Sequence, residues 1–167
     1  MSIVSDIEKL KKEKNAVILA HYYVDDDVQD VADYIGDSFY LSKVATKVSQ
    51  DRIIFAGVEF MGESAKILNP EKRVFMPDIN ADCPMAHMAD KDEILKLREQ
   101  YDDLAVVCYI NSTAELKKYS DVCVTSSNAV KIVKNLPNKN IFFIPDRNLG
   151  HFVAKQCPDK NFIFNNG

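Results

Sequence analysis

A cysteine next to a proline is the first residue of this sequence that could do chemistry. Cys83 stands between Asp82 and Pro84 in "PDINADCPM", residues 77–85. Because both neighbours are turn-forming residues, the pattern predicts that this thiol lies on a loop and not inside a strand. Such a thiol can be a tolerated loop residue, a ligand of a metal or cluster, or a nucleophile. Its position alone leaves all three open.

A histidine closes the apolar run "AVILAH", residues 16–21, and two tyrosines follow it. The run predicts a buried strand with His21 at its carboxyl end. Since ligands of parallel sheets bind outside the carboxyl ends of strands, this position favours a functional histidine over a structural one. Tyr23 could donate a phenolic hydrogen bond nearby or simply pack.

A second set of polar residues follows another apolar run, in "VCYINS". Tyr109 and Asn111 occupy alternate positions, so their side chains should point the same way. Packing in a core would explain the tyrosine but explains the amide poorly. The pattern therefore favours residues that line a site.

Two serines are each predicted to open a helix after a short strand: Ser38 in "IGDSFYLSKV" and Ser126 in "VTSSNAV". An ordinary helix cap is one interpretation. A helix start with a hydroxyl and free amides can also bind an anion, and two such starts would suit a substrate with two or more negative groups.

The other cysteines carry a weaker signal. Cys108 and Cys123 lie in apolar strand runs, which predicts core positions, whereas Cys157 precedes a proline after a helix and is expected to be accessible. With no CxxC pair and no export signal, the chain is expected to lack a disulfide framework and to reside in the reducing cytoplasm.

The elements that must position these residues alternate between strand and helix. Apolar strand patterns occur at 16–20 and 52–57, and helical spacing places Val28, Val31, Ala32 and Ile35 on one face of a predicted helix over 28–35. This alternation predicts an α/β protein of three-layer α/β/α domains with parallel sheets.

Sliding the chain against itself by 88 positions superimposes these patterns and pairs Asp33 with Asp121 and Gly62 with Gly150. This predicts an internal duplication, with a first domain over 1–85 and a second over 86–167. The residue equivalent to Cys83 would fall beyond Gly167.

Composition excludes several functions. The chain has 167 residues, 47% hydrophobic, and a net charge of −4. It can bury a real core, but it carries no basic patch for nucleic acid and no apolar run of membrane-spanning length. GxGxxG, Walker, GxSxG and HExxH motifs do not occur.

Six segments together resemble the quinolinate synthase family: "ILAHYY…VQDVADYIGDS", "FAGVEFMGESAKILNP", "MPDINADCPM", "VCYINSTAELK", "VTSSNAVKIV" and "PDRNLG". The resemblance implies three related α/β/α domains in pseudo-threefold arrangement around a central cavity. Each domain would give one cysteine to a [4Fe–4S] cluster whose open iron acts as a Lewis acid. Iminoaspartate and dihydroxyacetone phosphate would condense to quinolinate, with loss of phosphate and water.

The resemblance also implies residue roles. Cys83 matches the first cluster ligand, and His21, Tyr23 and Tyr109 match positions suited to proton transfer. The matched substrate-binding positions are His21, Ser38, Tyr109, Asn111 and Ser126. The third domain and the two other cluster cysteines would lie outside this chain, so the chain alone is expected not to complete the reaction. An aspartate-oxidising enzyme that supplies iminoaspartate is the implied protein partner.

Two alternatives stay open at this point. A racemase or lyase of duplicated α/β type would use Cys83 as a proton carrier, but the repeat places no second cysteine opposite it. A non-catalytic fragment could instead bind anions through Ser38 and Ser126 without a cluster.

Overall fold

The computed structural model describes residues 2–165. The chain divides into two compact units between Asp82 and Cys83. Each unit contains one four-stranded parallel sheet with helices packed against it, so the predicted α/β class is confirmed. Among the residues described, no helix combines the length and the apolar character needed to span a membrane.

The first unit has the strand order β2-β1-β3-β4. The strands β1 to β4 are Ala16–His21, Tyr34–Gly36, Arg52–Ala56 and Arg73–Phe75, and the helices α1 to α4 are Ile3–Glu13, Asp26–Gln29, Ser38–Ala45 and Glu59–Leu68. The central strands β1 and β3 are the most apolar because residues on both of their faces pack against other elements. Leu19, Ile53 and Phe55 are fully buried there.

The helix predicted over 28–35 is wrong. α2 ends at Gln29, and β2 begins at Tyr34. Asp33 explains the change, because its backbone N–H donates to the Ile18 carbonyl at 2.9 Å and its carboxylate accepts the Ile18 N–H at 2.8 Å. These two bonds turn the chain onto β1, so the residues after Asp33 pair as a strand.

The second unit has the strand order β6-β5-β7-β8. The strands β5 to β8 are Leu104–Tyr109, Val122–Val124, Asn140–Ile144 and Asn161–Phe164, and the helices α5 to α8 are Lys91–Gln100, Ala114–Lys118, Ala129–Asn135 and Arg147–Gln156. Alternate residues of β5 enter two separate cores, with Val107 in the core that contains Val133 and Val106 in the core that contains Ile94. The unit is therefore a three-layer α/β/α sandwich.

The same shift of 88 positions relates the helices and strands of the two units to one another in sequence. It carries β1, β2 and β3 onto β5, β6 and β7, and α4 onto α8, without a change in length. Asp121 repeats the bonds of Asp33, since its N–H donates to the Val106 carbonyl at 3.0 Å and its carboxylate accepts the Val106 N–H at 2.7 Å. The two sheets are thus copies in topology, register and turn chemistry.

Candidate functional site

The carboxyl edge of the first sheet gathers the candidate residues of the first unit. His21 ends β1 in register with Gly36, which ends β2, and the Tyr22 N–H donates to the Gly36 carbonyl at 3.2 Å. Ser38 begins α3 two residues later. The parallel pairing of β1 and β2 therefore carries the histidine and the start of α3 to one edge of the sheet.

Three aromatic rings form a compact cluster at this edge. The His21 ring stacks on Tyr22 with centroids 4.6 Å apart and meets Tyr23 edge-on at 4.7 Å. Tyr23 is 81% exposed, so its phenol reaches solvent while its ring contacts the histidine. The sequence left open whether Tyr23 packs or offers its hydroxyl, and the geometry allows both.

The protonation state of His21 follows from its surroundings. Partial burial lowers its pKa, and the nearby Asp37 carboxylate opposes that change. The Tyr23 N–H donates to His21 Nδ1 at 3.3 Å, which places the proton of the neutral ring on Nε2. The neutral form of His21, which burial favours, can therefore donate one hydrogen bond from Nε2.

Ser38 does not cap its helix. The N-cap of α3 is Asp37, whose carboxylate accepts the Tyr40 N–H at 2.7 Å. Ser38 is the first helical residue and is half-buried. Ser38 therefore opens α3 as predicted, whereas its interpretation as the helix cap is wrong, and anion binding at this helix start stays a prediction.

Tyr109 closes β5 at the corresponding edge of the second sheet. Its carbonyl accepts the Ser112 hydroxyl at 2.7 Å, and the next residue donates its N–H to the Val124 carbonyl at 2.8 Å. Ser112 is fully buried, so its hydroxyl holds the loop that carries Tyr109 and Asn111 against the strand ends. Both candidate side chains are half-buried on this loop.

Unlike Ser38, Ser126 does not open a helix, so this prediction is wrong. α7 begins only at Ala129, and Ser126 is exposed on the turn that precedes it. The Asn128 carboxamide accepts the Thr125 N–H at 2.7 Å and closes this turn. The helix therefore starts later than the apolar pattern predicts, because an asparagine side chain satisfies the backbone first.

Cys83 lies on a loop, at the position that precedes a single turn of 3₁₀ helix, Pro84–His87. Its thiol is half-buried and unbridged, and its carbonyl accepts the Ala86 N–H at 2.9 Å. Two residues upstream, the Ala81 carbonyl accepts the Glu59 N–H at 2.8 Å, which ties the loop to the start of α4. The loop therefore holds the thiol on an ordered stretch of backbone.

Two of the other cysteine predictions are wrong. Cys108 is buried as expected, but Cys123 is exposed because β6 is a short edge strand. Cys157 is buried instead of accessible, since the chain bends after α8 and packs this thiol into the core that contains Val133 and Val153.

A thiolate ligand needs an accessible sulfur on a loop, and Cys83 fits that requirement. Between residues 2 and 165, no group of three or more His, Cys, Asp or Glu side chains is arranged to hold a metal ion. Among the described residues, Cys83 thus meets the requirement for a single thiolate ligand.

Strand order adds residues that the sequence did not single out. Because β1 lies between β2 and β3, the connections after β1 and β3 leave in opposite directions, and such a crevice is where open α/β sheets bind ligands. Glu59 lies just after β3, and Arg147, an exposed cation, lies just after β7. The block "PDRNLG" contained Arg147, but only the strand order places it at a ligand-binding edge.

The sequence matches a family and several curated proteins along almost its whole length. The family model described as NadA, quinolinate synthetase A protein, matches residues 5–167. A quinolinate synthase of Fusobacterium nucleatum is 66% identical over 161 residues, which cover 96% of this chain and 54% of that protein. The corresponding proteins of Clostridioides difficile and Clostridium perfringens are 56% and 55% identical and are covered over 53% and 56% of their lengths.

The chain thus spans about half the length of the curated relatives that it matches. The matched region includes the loop of Cys83 and the strand ends that carry His21 and Tyr109. On this evidence, the chain belongs to the quinolinate synthase family.

Proposed function

We propose that this chain supplies the first two substrate-binding units of a quinolinate synthase, which condenses iminoaspartate with dihydroxyacetone phosphate to give quinolinate, phosphate and water. The family match over residues 5–167 carries the proposal. The equivalent placement of His21 and Tyr109 at the ends of β1 and β5 supports it, because parallel sheets bind ligands at that edge.

His21 acts in this proposal as a hydrogen-bond donor and not as a cationic acid. Burial keeps the ring neutral by lowering its pKa, and the Tyr23 N–H on Nδ1 leaves the Nε2 proton available. A neutral donor of this kind can hold a carbonyl or carboxylate oxygen of iminoaspartate and strengthen its hydrogen bond as negative charge develops there. Tyr23 adds an exposed phenol beside it.

The second unit offers Tyr109 and Asn111 on a loop held by the buried Ser112 hydroxyl. Their phenol and carboxamide can orient a substrate by hydrogen bonds, and a rigid loop lowers the cost of that orientation. Ser38 contributes a hydroxyl at the first residue of α3, and Ser126 contributes a hydroxyl on the turn before α7. Arg147 is an additional cation suited to a phosphate or carboxylate.

Cys83 would hold one corner of a [4Fe–4S] cluster through its thiolate. When bound, such a cluster with one open iron supplies a Lewis acid for a substrate oxygen. The part played by this chain is to present the sulfur on an ordered loop tied to α4 by the bond between Glu59 and Ala81.

A chimeric enzyme tests the proposal. Residues 5–165 of this chain replace the corresponding segment of the Fusobacterium nucleatum quinolinate synthase, which matches at 66% identity. The chimera is reconstituted anaerobically with iron and sulfide, and quinolinate is measured by chromatography after addition of iminoaspartate and dihydroxyacetone phosphate. We expect iron, sulfide and quinolinate at levels comparable to the unmodified enzyme.

Variants of the chimera separate cluster binding from folding. Cys83→Ser should lose both iron and quinolinate, whereas Cys157→Ala, a cysteine packed in the second core, should keep both. A chimera that is folded by circular dichroism and binds the cluster but forms no quinolinate would overturn the proposed function. Retention of a full cluster by Cys83→Ser would overturn the assigned ligand.

No described residue arrangement favours the two alternatives. A racemase needs a second cysteine opposite Cys83, which the repeat does not offer. The anion-binding fragment keeps a helix start at Ser38 but not at Ser126, which lies on the turn before α7, and it stays a prediction.

A further inference from the structure

Two cysteines that the proposed function does not use lie side by side in the second unit. Cys108 of β5 and Cys123 of β6 are register partners in adjacent parallel strands. Register partners point to the same face of a sheet, and neighbouring strands lie about 4.8 Å apart. The two side chains therefore leave adjacent strands on the same face, close enough for each to change the pKa of the other.

The two sulfurs differ in access. Cys108 is fully buried against the core that contains Val106 and Phe142, whereas Cys123 is exposed on the edge strand. A reagent from solvent can therefore reach the pair at one sulfur, with the second held directly behind it.

Several groups around the pair stabilise a negative charge on sulfur. The neighbouring Cys123 side chain and the charge of Lys117 lower the pKa of Cys108 to about 7 against the opposing effect of burial. The same coupling raises the pKa of Cys123, because removing a second proton would place two negative charges together. Cys108 is therefore the more readily deprotonated sulfur of the pair, and Cys123 is the more accessible one.

We propose that Cys108 and Cys123 form a reversible disulfide site that exchanges with small disulfides of the glutathione class. The spacing of about 4.8 Å between paired strands falls within the 4.4–6.8 Å range of Cα separations that a disulfide spans. Because the residues are held in register by the sheet, ring closure needs only side-chain rotation and small backbone adjustment.

The exchange balances without any further oxidant. The exposed Cys123 sulfur attacks one sulfur of the small disulfide while its proton passes to the Cys108 thiolate, so that a mixed disulfide forms and one small thiolate leaves. Cys108 then gives this proton to the released small thiolate, attacks the Cys123 sulfur, closes the protein disulfide and expels the second small thiolate, which takes a proton from water. The protein loses two electrons and two protons, and the small disulfide gains both and becomes two thiols.

The first unit shows that the fold does not require thiols at these positions. Ala20 and Ile35 are the register partners that correspond to Cys108 and Cys123 under the 88-residue shift. They also indicate which replacements the sheet can accept, namely Cys108→Ala and Cys123→Ile. The disulfide would remove the Cys108 thiol that donates to the Tyr109 carbonyl at 3.4 Å, so its formation reaches the loop that carries Tyr109 and Asn111.

A redox titration of the 167-residue chain tests the proposal. The reduced protein is equilibrated in glutathione buffers of increasing oxidised fraction, alkylated in acid and digested with trypsin. Cleavage after Lys117 and Lys118 separates Cys108, in peptide 99–117, from Cys123, in peptide 119–131. We expect a linked pair of these two peptides to appear as the buffer becomes more oxidising and to disappear when dithiothreitol is added.

Variants distinguish a paired site from a single reactive thiol. Cys123→Ile should abolish the linked peptide and leave Cys108 reduced, while Cys108→Ala should leave glutathione attached to Cys123 as a mixed disulfide. Cys157→Ala is the matched control and should not change the linked peptide. Stable glutathione on Cys123 of the unmodified protein, with Cys108 still reduced in the same molecules, would overturn the proposal. So would two thiols that stay reduced across the whole titration.

Discussion

The two units share one scaffold but differ in the side chains at their strand ends. In both, an aspartate after the second helix bonds both backbone groups of a residue in the central strand: Asp33 to Ile18, and Asp121 to Val106. At the ends of the same strands, His21 corresponds to Tyr109 and Tyr23 to Asn111. The aspartates that hold the fold are thus the same in both units, whereas the candidate site residues at the strand ends differ.

The interior of the units also differs in how tightly corresponding positions are packed. Gly62 in α4 corresponds to Gly150 in α8. A Cβ atom at Gly62 would meet the flexible end of Met76, whereas at Gly150 it would lie 2.8 Å from the Phe164 ring and 3.0 Å from the Phe143 ring. Equal topology therefore does not imply equal tolerance to mutation, because rigid rings cannot move aside as a methionine can.

Removal of the shared aspartate is expected to have the largest effect on stability. Asp33→Ala and Asp121→Ala each delete a charged hydrogen bond to a strand amide, worth roughly 1.5–3 kcal/mol. Each also breaks an ion pair, with Lys11 or Arg98, worth up to about 1 kcal/mol. We expect similar losses in both units, measured by hydrogen exchange of the β1 and β5 amides.

Asp27→Ala is the control for this comparison, since Asp27 is exposed in the first turn of α2 and should change stability by less than about 0.5 kcal/mol. A loss confined to one unit would show that the shared hydrogen bonds do not have equivalent roles.

Replacing each of the two glycines by alanine should change stability in different directions. Gly150→Ala overpacks the aromatic contact and should destabilise the second unit by about 1–3 kcal/mol. Gly62→Ala should be neutral or stabilising by up to about 1 kcal/mol, because Met76 can rotate away and alanine favours the helix. Urea unfolding of both variants checks this order, and equal destabilisation would contradict the packing difference.

The smallest expected effect is the pH dependence of stability that His21 causes. The corresponding residue of the second unit, Tyr109, is not a histidine and should cause no such dependence. The folded pKa of His21 is lowered by burial, so the unfolded chain binds the proton more readily. Stability should therefore fall as the pH drops through 6.5 towards the folded pKa. Asp37→Asn removes the carboxylate that raises the pKa of His21, so this variant should have a still lower His21 pKa.

Proton NMR of the His21 ring across pH 4–8 (roughly two units on either side of the ordinary histidine pKa) measures the His21 pKa in the unmodified protein and in Asp37→Asn. The His21→Gln variant assigns the signal. A midpoint at or above 6.5 in the unmodified protein would contradict the lowered pKa and the neutral-donor role proposed for His21.

Much of the scaffold was predictable because its signals are local. The apolar runs of β1 and β5 identify buried strands, the turn formers around Cys83 identify a loop, and the 88-residue shift identifies the duplication. The first two signals arise from neighbouring residues, whose periodicity and turn chemistry survive without knowledge of the fold. The third arises from comparing the chain with itself.

The errors fall where distant or polar contacts override local pattern. The apolar spacing of 28–35 suits a helix, but Asp33 binds Ile18, 15 residues away in sequence, and converts its end to a strand. Asp37 and Asn128 take the capping and turn-closing bonds that were assigned to Ser38 and Ser126. Such competition between hydrogen-bonding side chains is settled by three-dimensional geometry and leaves little trace in periodicity.

The sequence by itself determined the α/β class, the duplication, the loop position of Cys83 and the resemblance to the quinolinate synthase family. Only the tertiary structure decided which strands neighbour one another, and with that the pairing of Cys108 with Cys123 and the placement of Arg147 at the sheet edge. The physical reason is that strand order and register depend on contacts between segments far apart in the chain, whereas helix, strand and turn preferences depend on residues close together.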